Sequence, residues 1–527
     1  MKAMTWDLTT VDKNKIYNYV DKFNRNDEEC VKQKIDNAHA YDWMMEQVPY
    51  FECPDKEIEE TYYFRWWVYR KHIKETPEGY IITEFHPDVE WAGAYNSINA
   101  ASGHHLAEGR WLKDGNRYME DYIRFWLRGS GNQFSYSSWL AYAVYEYCLV
   151  KKKEEFGVGL LGDLVAYYRH IEATNMTEYG LFWSNDDRDA MELSVSGSGL
   201  RPTLNSYMYA NAYAISCIAE WAGKEELDDE FKRKAASLKE KICNVLWDEK
   251  DEFFKVIPLE NVHGTAESFS FRQIPAEHNV REAIGYIPWC FDIPDKEQDA
   301  AWKFLMNEQY FKADYGPLTA ERNHPLFMKK CEFHECVWNG PSWPFATTQI
   351  LNGMITTLQK GPNPWISAED FYEQLRIYTR SHYRTTTGGR VVNWIDENLN
   401  PDTGKWLSRS ILEEWGWRED KGGYERGKDY NHSGYCDIII RGLCGVQIME
   451  DDRLVIHTSL IPENWDYFSL RELPYKGHTI SVQYDRDGMH YGGKKGLTIM
   501  IDGAHADITK IYIDELSARG PLYEYKL

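Results

Sequence analysis

The chain has 527 residues, enough for one large domain with a small one beside it, and its 43% hydrophobic content supports a substantial core. Against 83 Asp and Glu stand only 60 Lys and Arg, a net charge of −23, which argues against nucleic acid or an anionic membrane surface as partner. The 21 Trp and 37 Tyr supply rings that fill cores and also stack on the apolar faces of sugars.

The longest charge-free run, 336–359, is interrupted by Pro, Gly, Asn, Gln and Thr, so no transmembrane helix is expected. The N-terminus MKAMTWDLTTVDKNK lacks the apolar stretch of a secretory signal. Ten Cys without framework spacing suit reduced thiols, so the expected location is cytoplasmic. Cys331, His334 and Cys336 cluster in CEFHEC, but no partner pair at zinc spacing accompanies them. No metal and no cofactor is expected, and the sequence leaves room for a homo-oligomer.

Apolar residues at three- and four-residue spacing predict helices over 15–23, 31–50 and 57–73, closed by the turn Pro77-Glu78-Gly79. Residues 82–114 are polar, aromatic and irregular. A loop of that size in a helical protein is more often functional than not, which makes Glu90, Trp91, Asn96, His104 and His105 candidates for substrate contact. For either His, ordinary hydrogen-bonded packing is an equal alternative. Helices resume over 116–128, 137–150 and 156–172. The Gly-rich GSGNQFS between the first two lacks the Lys-Ser/Thr of a phosphate loop.

The stretch 183–209, WSNDDRDAMELSVSGSGLRPTLNSYMY, crowds Asp186, Asp187, Asp189 and Glu192 into seven residues, with Arg201 and Asn205 close behind. Crowded, buried carboxyls hold their protons more tightly, which suits a general acid. An acidic helix cap or a calcium-binding loop would use the same residue types, although the spacing is not that of an EF-hand.

Further helices are predicted over 203–222, with Gly223 as C-cap, and over 226–247. Residues 281–291 read as a short helix ending near Pro288, 339–354 as a loop entering a helix, 367–383 as a helix, and 430–446 as the last long apolar segment. About a dozen helices without exact repeats suggest paired hairpins closed on themselves. Past residue 450, LVIHT, HTISVQY and GLTIMID alternate apolar and polar residues around Asp487-Gly488 and Gly492-Gly493 turns. A small antiparallel, sandwich-like β domain is therefore expected over 449–527, after a catalytic domain over 1–448.

Three stretches together resemble the inverting six-hairpin glycosidases, the group of trehalase, processing α-glucosidase I and bacterial mannosylglycerate hydrolase in and around glycoside hydrolase family 63. RDAMELS resembles the segment that carries the general acid, and TLNSYMY resembles the motif that follows it; Glu192 stands where those enzymes have Asp. WNGPSWPFATTQIL is similar to the Trp-Arg-Gly-Pro-Ile-Trp segment that lines the sugar subsite, which puts Trp338, Asn339 and Trp343 there. ENLNPDTGKWL resembles the Glu-x-Tyr-Asn-Pro-x-Thr-Gly pattern of the general base, here Glu397. YNHSGYCDIIIRGL, with His432, resembles the final barrel helix.

The resemblance implies a mainly α fold, an (α/α)6 barrel, with Glu192 as acid and Glu397 as base. Asp187 and Asp189 would tune Glu192 or hold sugar hydroxyls, and Trp91, Trp338 and Trp343 would form apolar walls. The expected activity is exo-acting, inverting release of a monosaccharide from short α-glucosides or α-mannosides. The texture DDRDAMELS also resembles relatives acting on β-L-arabinofuranosides, so a furanosidase is the alternative. Glu332, Glu335, Glu413, Glu414 and Asp437 are other candidates for the base. Two rival classes are a non-catalytic carbohydrate-binding protein and a lyase or epimerase relying on His104 or His105.

Overall fold

A computed structural model describes residues 11–259, 274–506, 509–511 and 522–527. In chain order the helices are α1 (Lys13–Arg25), α2 (Ala40–Gln47), α3 (Lys56–Lys71), α4 (Ser102–Gly109), α5 (Asn116–Arg128), α6 (Leu140–Lys151) and α7 (Glu154–Asn175). They continue as α8 (Pro202–Trp221), α9 (Glu225–Lys241), α10 (Ile287–Cys290), α11 (Pro344–Lys360), α12 (Ala368–Arg380), α13 (Leu407–Glu414) and α14 (Tyr435–Ile438).

Local chemistry sets the ends of several of these. Asp12 and Asp55 accept hydrogen bonds from the first-turn amides of α1 and α3, and Ser367 closes a reciprocal capping box with Asp370 at the start of α12. Pro202 and Pro344 occupy the first turns of α8 and α11, where no amide hydrogen is needed. Gly223 has φ +64°, the left-handed conformation that ends α8.

Six helices touch in succession: α4 meets α6, α6 meets α8, α8 meets α10, α10 meets α11, α11 meets α14, and α14 returns to α4. The circuit of contacts thus closes. Helices of this circuit are buried nearly all round, as α8 is from Pro202 to Ala219. By contrast α9, which packs on α8, buries only Asp228, Phe231, Ala235 and Leu238, one stripe of an otherwise charged helix. Among the described residues no helix is long and apolar enough to cross a membrane.

The structure departs from the periodic reading in three places. Residues 31–36 are not helical, and α2 begins only at Ala40 after a short 3-10 turn, Asn37–His39. Pro288 sits in the first turn of α10 rather than at its end, because proline is tolerated where an amide partner is not required. The irregular 82–114 stretch contains α4, a member of the closed circuit; Gly and His leave little amphipathic signal in a helix buried on every side.

Beyond the helices, Tyr467–Tyr475, His478–Asp485, Gly496–Ile501 and Ala504–His505 form an antiparallel meander, with Ile480 and Val482 buried beneath it. Its outer neighbour on the first side is Tyr50–Glu52 from the N-terminal region, in register Tyr50 to Arg471. A second sheet joins Arg453–His457 to Leu522–Lys526 and Thr509–Ile511. A single apolar cluster runs from Ile16 through the helices to Leu470 and Val482, so the sheet shares the helical core.

Candidate active site

A cavity of about 1210 Å³ opens among the connections that lead into α4, α6, α8, α11 and α14. Each connection brings its own group: Glu84 and Trp91, then Tyr136, then Asp187 and Glu192, then Glu335 and Trp338, and last Glu397 and Arg426.

Glu192 stands on a loop whose folding is dictated by its acidic run. The Asp186 side chain accepts from the amides of Asp187 and Ser194, starting a 3-10 turn over Asp187–Asp189. Ala190 and Leu193, on either side of Glu192, adopt φ +56° and +58°, a conformation that costs non-glycine residues about 1–2 kcal/mol each. Beneath the loop the buried Arg201 guanidinium pairs with Asp189 at 2.5 Å, and Ser137 Oγ donates to the same carboxylate at 2.6 Å. Among the described residues no cation pairs with Glu192; instead the Trp338 indole N–H donates to its Oε2 at 2.8 Å. Withdrawal from water pushes its carboxyl up to about 7, helped by the Asp187 charge and opposed by the indole hydrogen bond.

Glu397 faces different company. Burial again pushes its carboxyl up to about 7, but the Arg426 guanidinium lies 2.5 Å from Oε2 and pulls the other way, as does the Cys336 thiol. Arg426 also reaches Glu335 at 3.1 Å, where Lys421 joins at 3.2 Å. Burial raises the Glu335 carboxyl, yet these two cations outweigh it and hold the group below its ordinary value. Glu335 and Cys336 belong to CEFHEC, so that cluster contributes neighbours of Glu397. Among the described residues, no three His, Cys, Asp or Glu are grouped as a metal site.

The aromatic residues divide. Trp338 and Trp343 stack on each other at 4.4 Å, Trp343 stacks on Phe345 at 4.7 Å, and both tryptophans are buried while lining the cavity. Trp91 is 36% exposed and packs edge-on against Phe85, with Arg426 and Lys421 over its ring.

Of the residues singled out in the sequence, Trp91, Asp187, Glu192, Glu335, Trp338, Trp343 and Glu397 line this cavity. Asn96, His104, His105, Asp189, Arg201, Asn205, Asn339 and His432 are not in its lining. Asn96 staples its own loop through the carbonyls of Phe85 and Pro87 and the amide of Val89. Asn205 bridges Phe182 and Arg201, and Asn339 holds the carbonyls of Leu326 and Lys329. Asp189 and Arg201 are the buried pair already described.

The three histidines are packing residues. His105 accepts from the Tyr122 hydroxyl at 2.8 Å and donates to the Asn431 carbonyl at 2.6 Å. His104 lies edge-on between Trp139 and Phe345, and His432 accepts the Trp343 indole N–H at 2.6 Å. Burial drives His104 down to about 3, His105 to about 4, and His432 well below its ordinary value. The two His proposed as bases of a lyase are thus enclosed in α4 and already bonded or ring-packed. Asp437 is likewise structural, tying Arg110 and Trp111 of the α4 end to α14.

Sequence reasoning missed Glu84, Tyr136, Arg426 and Tyr430, all in the lining. Glu84 lies inside the polar 82–114 stretch and was overlooked for the His pair. Arg426 lies in WREDKGGYERGKDY, whose charge density reads as solvated surface; it is nevertheless only 2% exposed.

Residues 94–433 match the family described as the mannosylglycerate hydrolase MGH1-like glycoside hydrolase domain. Among solved structures, a chain named sialidase is 36% identical, with TM-score 0.85 over 98% of this chain and 44% of its own. An α-L-rhamnosidase from Dictyoglumus thermophilum is 11% identical with TM-score 0.51, covering 86% of this chain and 44% of that one, a likeness of fold alone. An uncharacterized protein of Borreliella burgdorferi is 28% identical over 162 residues, 29% of this chain and 33% of that protein. The chain therefore spans less than half the length of each of these relatives.

Proposed function

The chain belongs to the mannosylglycerate hydrolase MGH1-like glycoside hydrolase domain family, and on that premise we propose that it is an exo-acting, inverting glycoside hydrolase. It releases a neutral monosaccharide from short glycosides of the α-glucoside or α-mannoside type, on an (α/α)6 barrel formed by residues 1–448 with the β region 449–527 packed against it. The closed circuit of six helices supports the barrel. One observation carries the chemistry: two carboxyls, both raised to about 7 by burial, line one cavity, and only one of them touches a cation.

That asymmetry assigns the roles. Glu192, bonded to an indole rather than a cation, keeps its proton and gives it to the leaving glycosidic oxygen. Glu397, whose ionised form Arg426 favours, takes a proton from the water that attacks the anomeric carbon from the opposite face. Inversion requires the two carboxyls to stand about 6.5–9.5 Å apart, leaving room for that water. Trp91, Trp338 and Trp343 serve as apolar contacts for the sugar. With Glu84 and Glu192 protonated, Asp187, Glu335 and Glu397 balance Arg188, Lys421 and Arg426 in the lining, which suits a neutral sugar. Ten unpaired cysteines support a reducing, cytoplasmic setting.

Glu335 is the second candidate for the base, because two cations keep it ionised and its Oε2 is buried without a partner. The deciding experiment is release of sugar from a panel of disaccharides and aryl glycosides, with NMR of the fresh anomer, in wild type, Glu397→Gln and Glu335→Gln. Inverted product lost only in Glu397→Gln supports the assignment. Activity undiminished in Glu397→Gln moves the base to Glu335 or removes the mechanism, and an unsaturated product absorbing in the ultraviolet replaces hydrolysis by a lyase.

A further inference from the structure

The cavity holds one buried carboxyl for which acid–base hydrolysis has no use. Glu84 follows the strand Gly79–Ile82 and is 5% exposed. Its Oε1 accepts the Tyr430 hydroxyl at 2.7 Å; its Oε2 is buried, has no hydrogen-bond partner among the described residues, and belongs to a residue of the cavity lining. A buried polar atom without a partner is costly unless something else completes it. The groups near it include Glu192, Glu397, Arg426, Tyr430, Tyr122 and Tyr136.

We propose that Glu84 is the specificity-determining residue of this cavity, and that its free Oε2 hydrogen-bonds one hydroxyl of a neutral sugar ring seated against Glu192 and Glu397. The identity of the ring as substrate rests on the glycosidase reading, but binding does not require turnover. Burial, joined by the Glu397 charge and opposed by the Tyr430 hydrogen bond, pushes the Glu84 carboxyl up to about 8, so it carries a proton at neutral pH. Because Tyr430 donates to Oε1, the proton sits on Oε2. There it offers an O–H to a sugar oxygen without adding a further negative charge beside the acid and the base. A site built to meet a hydroxyl rejects the analogue that lacks it more strongly than an apolar wall would, since the analogue leaves the buried group unpaired.

The test is calorimetric titration of neutral aldoses and their monodeoxy analogues into wild type, Glu84→Gln and Glu84→Ala, each variant checked by thermal melting. One aldose should bind wild type, and Glu84→Ala should weaken it about 10- to 100-fold. Glu84→Gln keeps a donor at the same reach and should stay within about fivefold. One monodeoxy analogue should bind wild type as weakly as the parent sugar binds Glu84→Ala, with no further loss on that variant. If Glu84→Ala does not fold, Glu84→Asp, which retracts the carboxyl by one methylene, carries the same comparison. Equal affinity in wild type and Glu84→Ala, losses that add for every deoxy analogue, or no aldose bound by wild type would each overturn the proposal. Sugar binding that follows this pattern while Glu192→Gln and Glu397→Gln release product as fast as wild type would instead sink the hydrolytic assignment and leave Glu84 standing.

Discussion

The loop around Glu192 and the segment from Glu397 to Arg426 face the same cavity and use the same desolvation, yet they treat their charges in opposite ways. On the Glu192 side the buried cation Arg201 lies below the loop and is taken by Asp189. Glu192 is left with an indole, and burial outweighs that hydrogen bond and the Arg426 charge. On the Glu397 side the cation is brought to the carboxylates themselves, with Arg426 shared between Glu397 and Glu335. Burial alone therefore does not distinguish the two carboxyls; the placement of the guanidinium does, and the proposed roles of acid and base rest on it.

The comparison is broken most directly at Glu397. Replacing it by Gln should lower kcat by about 10³-fold or more, with KM little changed, because general base action contributes only in the transition state. A larger loss in Glu335→Gln, measured on the same substrate, would transfer the role. Next in size is Arg201→Met. It strands Asp189 uncompensated in the interior, and Glu282, which the same guanidinium stabilises, beside it. Denaturant unfolding should show a loss of about 3–5 kcal/mol, partly restored when Asp189→Asn is added. Full stability in Arg201→Met would mean that the acid loop is not held from below.

Arg426→Met sharpens the comparison by erasing it. Without the guanidinium both Glu397 and Glu335 hold their protons more tightly. The base must be ionised, so the ascending limb of the pH profile moves to higher pH, and kcat/KM at pH 6 falls by about 10- to 100-fold. The same cation also opposes the proton on Glu192, so the descending limb moves the same way by less. An unmoved ascending limb would show that Glu397 is not the titrating base.

How much of this was legible in the sequence follows from what each signal depends on. Amphipathic helices such as α5 and α12 announce themselves by spacing; α4, buried all round with Gly and His in it, does not. The two carboxyls were found through their motifs, Glu192 by the TLNSYMY register and Glu397 by Asn-Pro-Asp-Thr-Gly, because such motifs fix position without knowledge of packing. Asn96, Asn205 and Asn339 looked like sugar ligands since an amide that staples two carbonyls has the same composition as one that reads two hydroxyls. Only the acceptors on the other side distinguish them. Arg426 and Glu84 went unseen for the converse reason: their importance comes from contacts distant along the chain, Arg426 with Glu397 and Glu335, and Glu84 with Tyr430 across more than 300 residues. Such contacts leave no local pattern.

The smallest expected effect tests the acid side alone. Asp187 is exposed at the cavity edge and its charge helps to hold the proton on Glu192. Asp187→Asn removes that charge, so the Glu192 carboxyl moves down. The acid must be protonated, so activity is lost at a lower pH than before. The descending limb of kcat/KM therefore shifts toward acid, while the ascending limb, set by Glu397, stays in place. Because the aspartate is solvated, the change should be only about two- to threefold at pH 7.5, and added salt should produce part of it in wild type by screening the same charge. A shift of the ascending limb would place Asp187 on the base. A drop that is equal at every pH and insensitive to salt would make Asp187 a hydrogen-bonding contact for the sugar, and Glu192 would then owe its proton to desolvation alone.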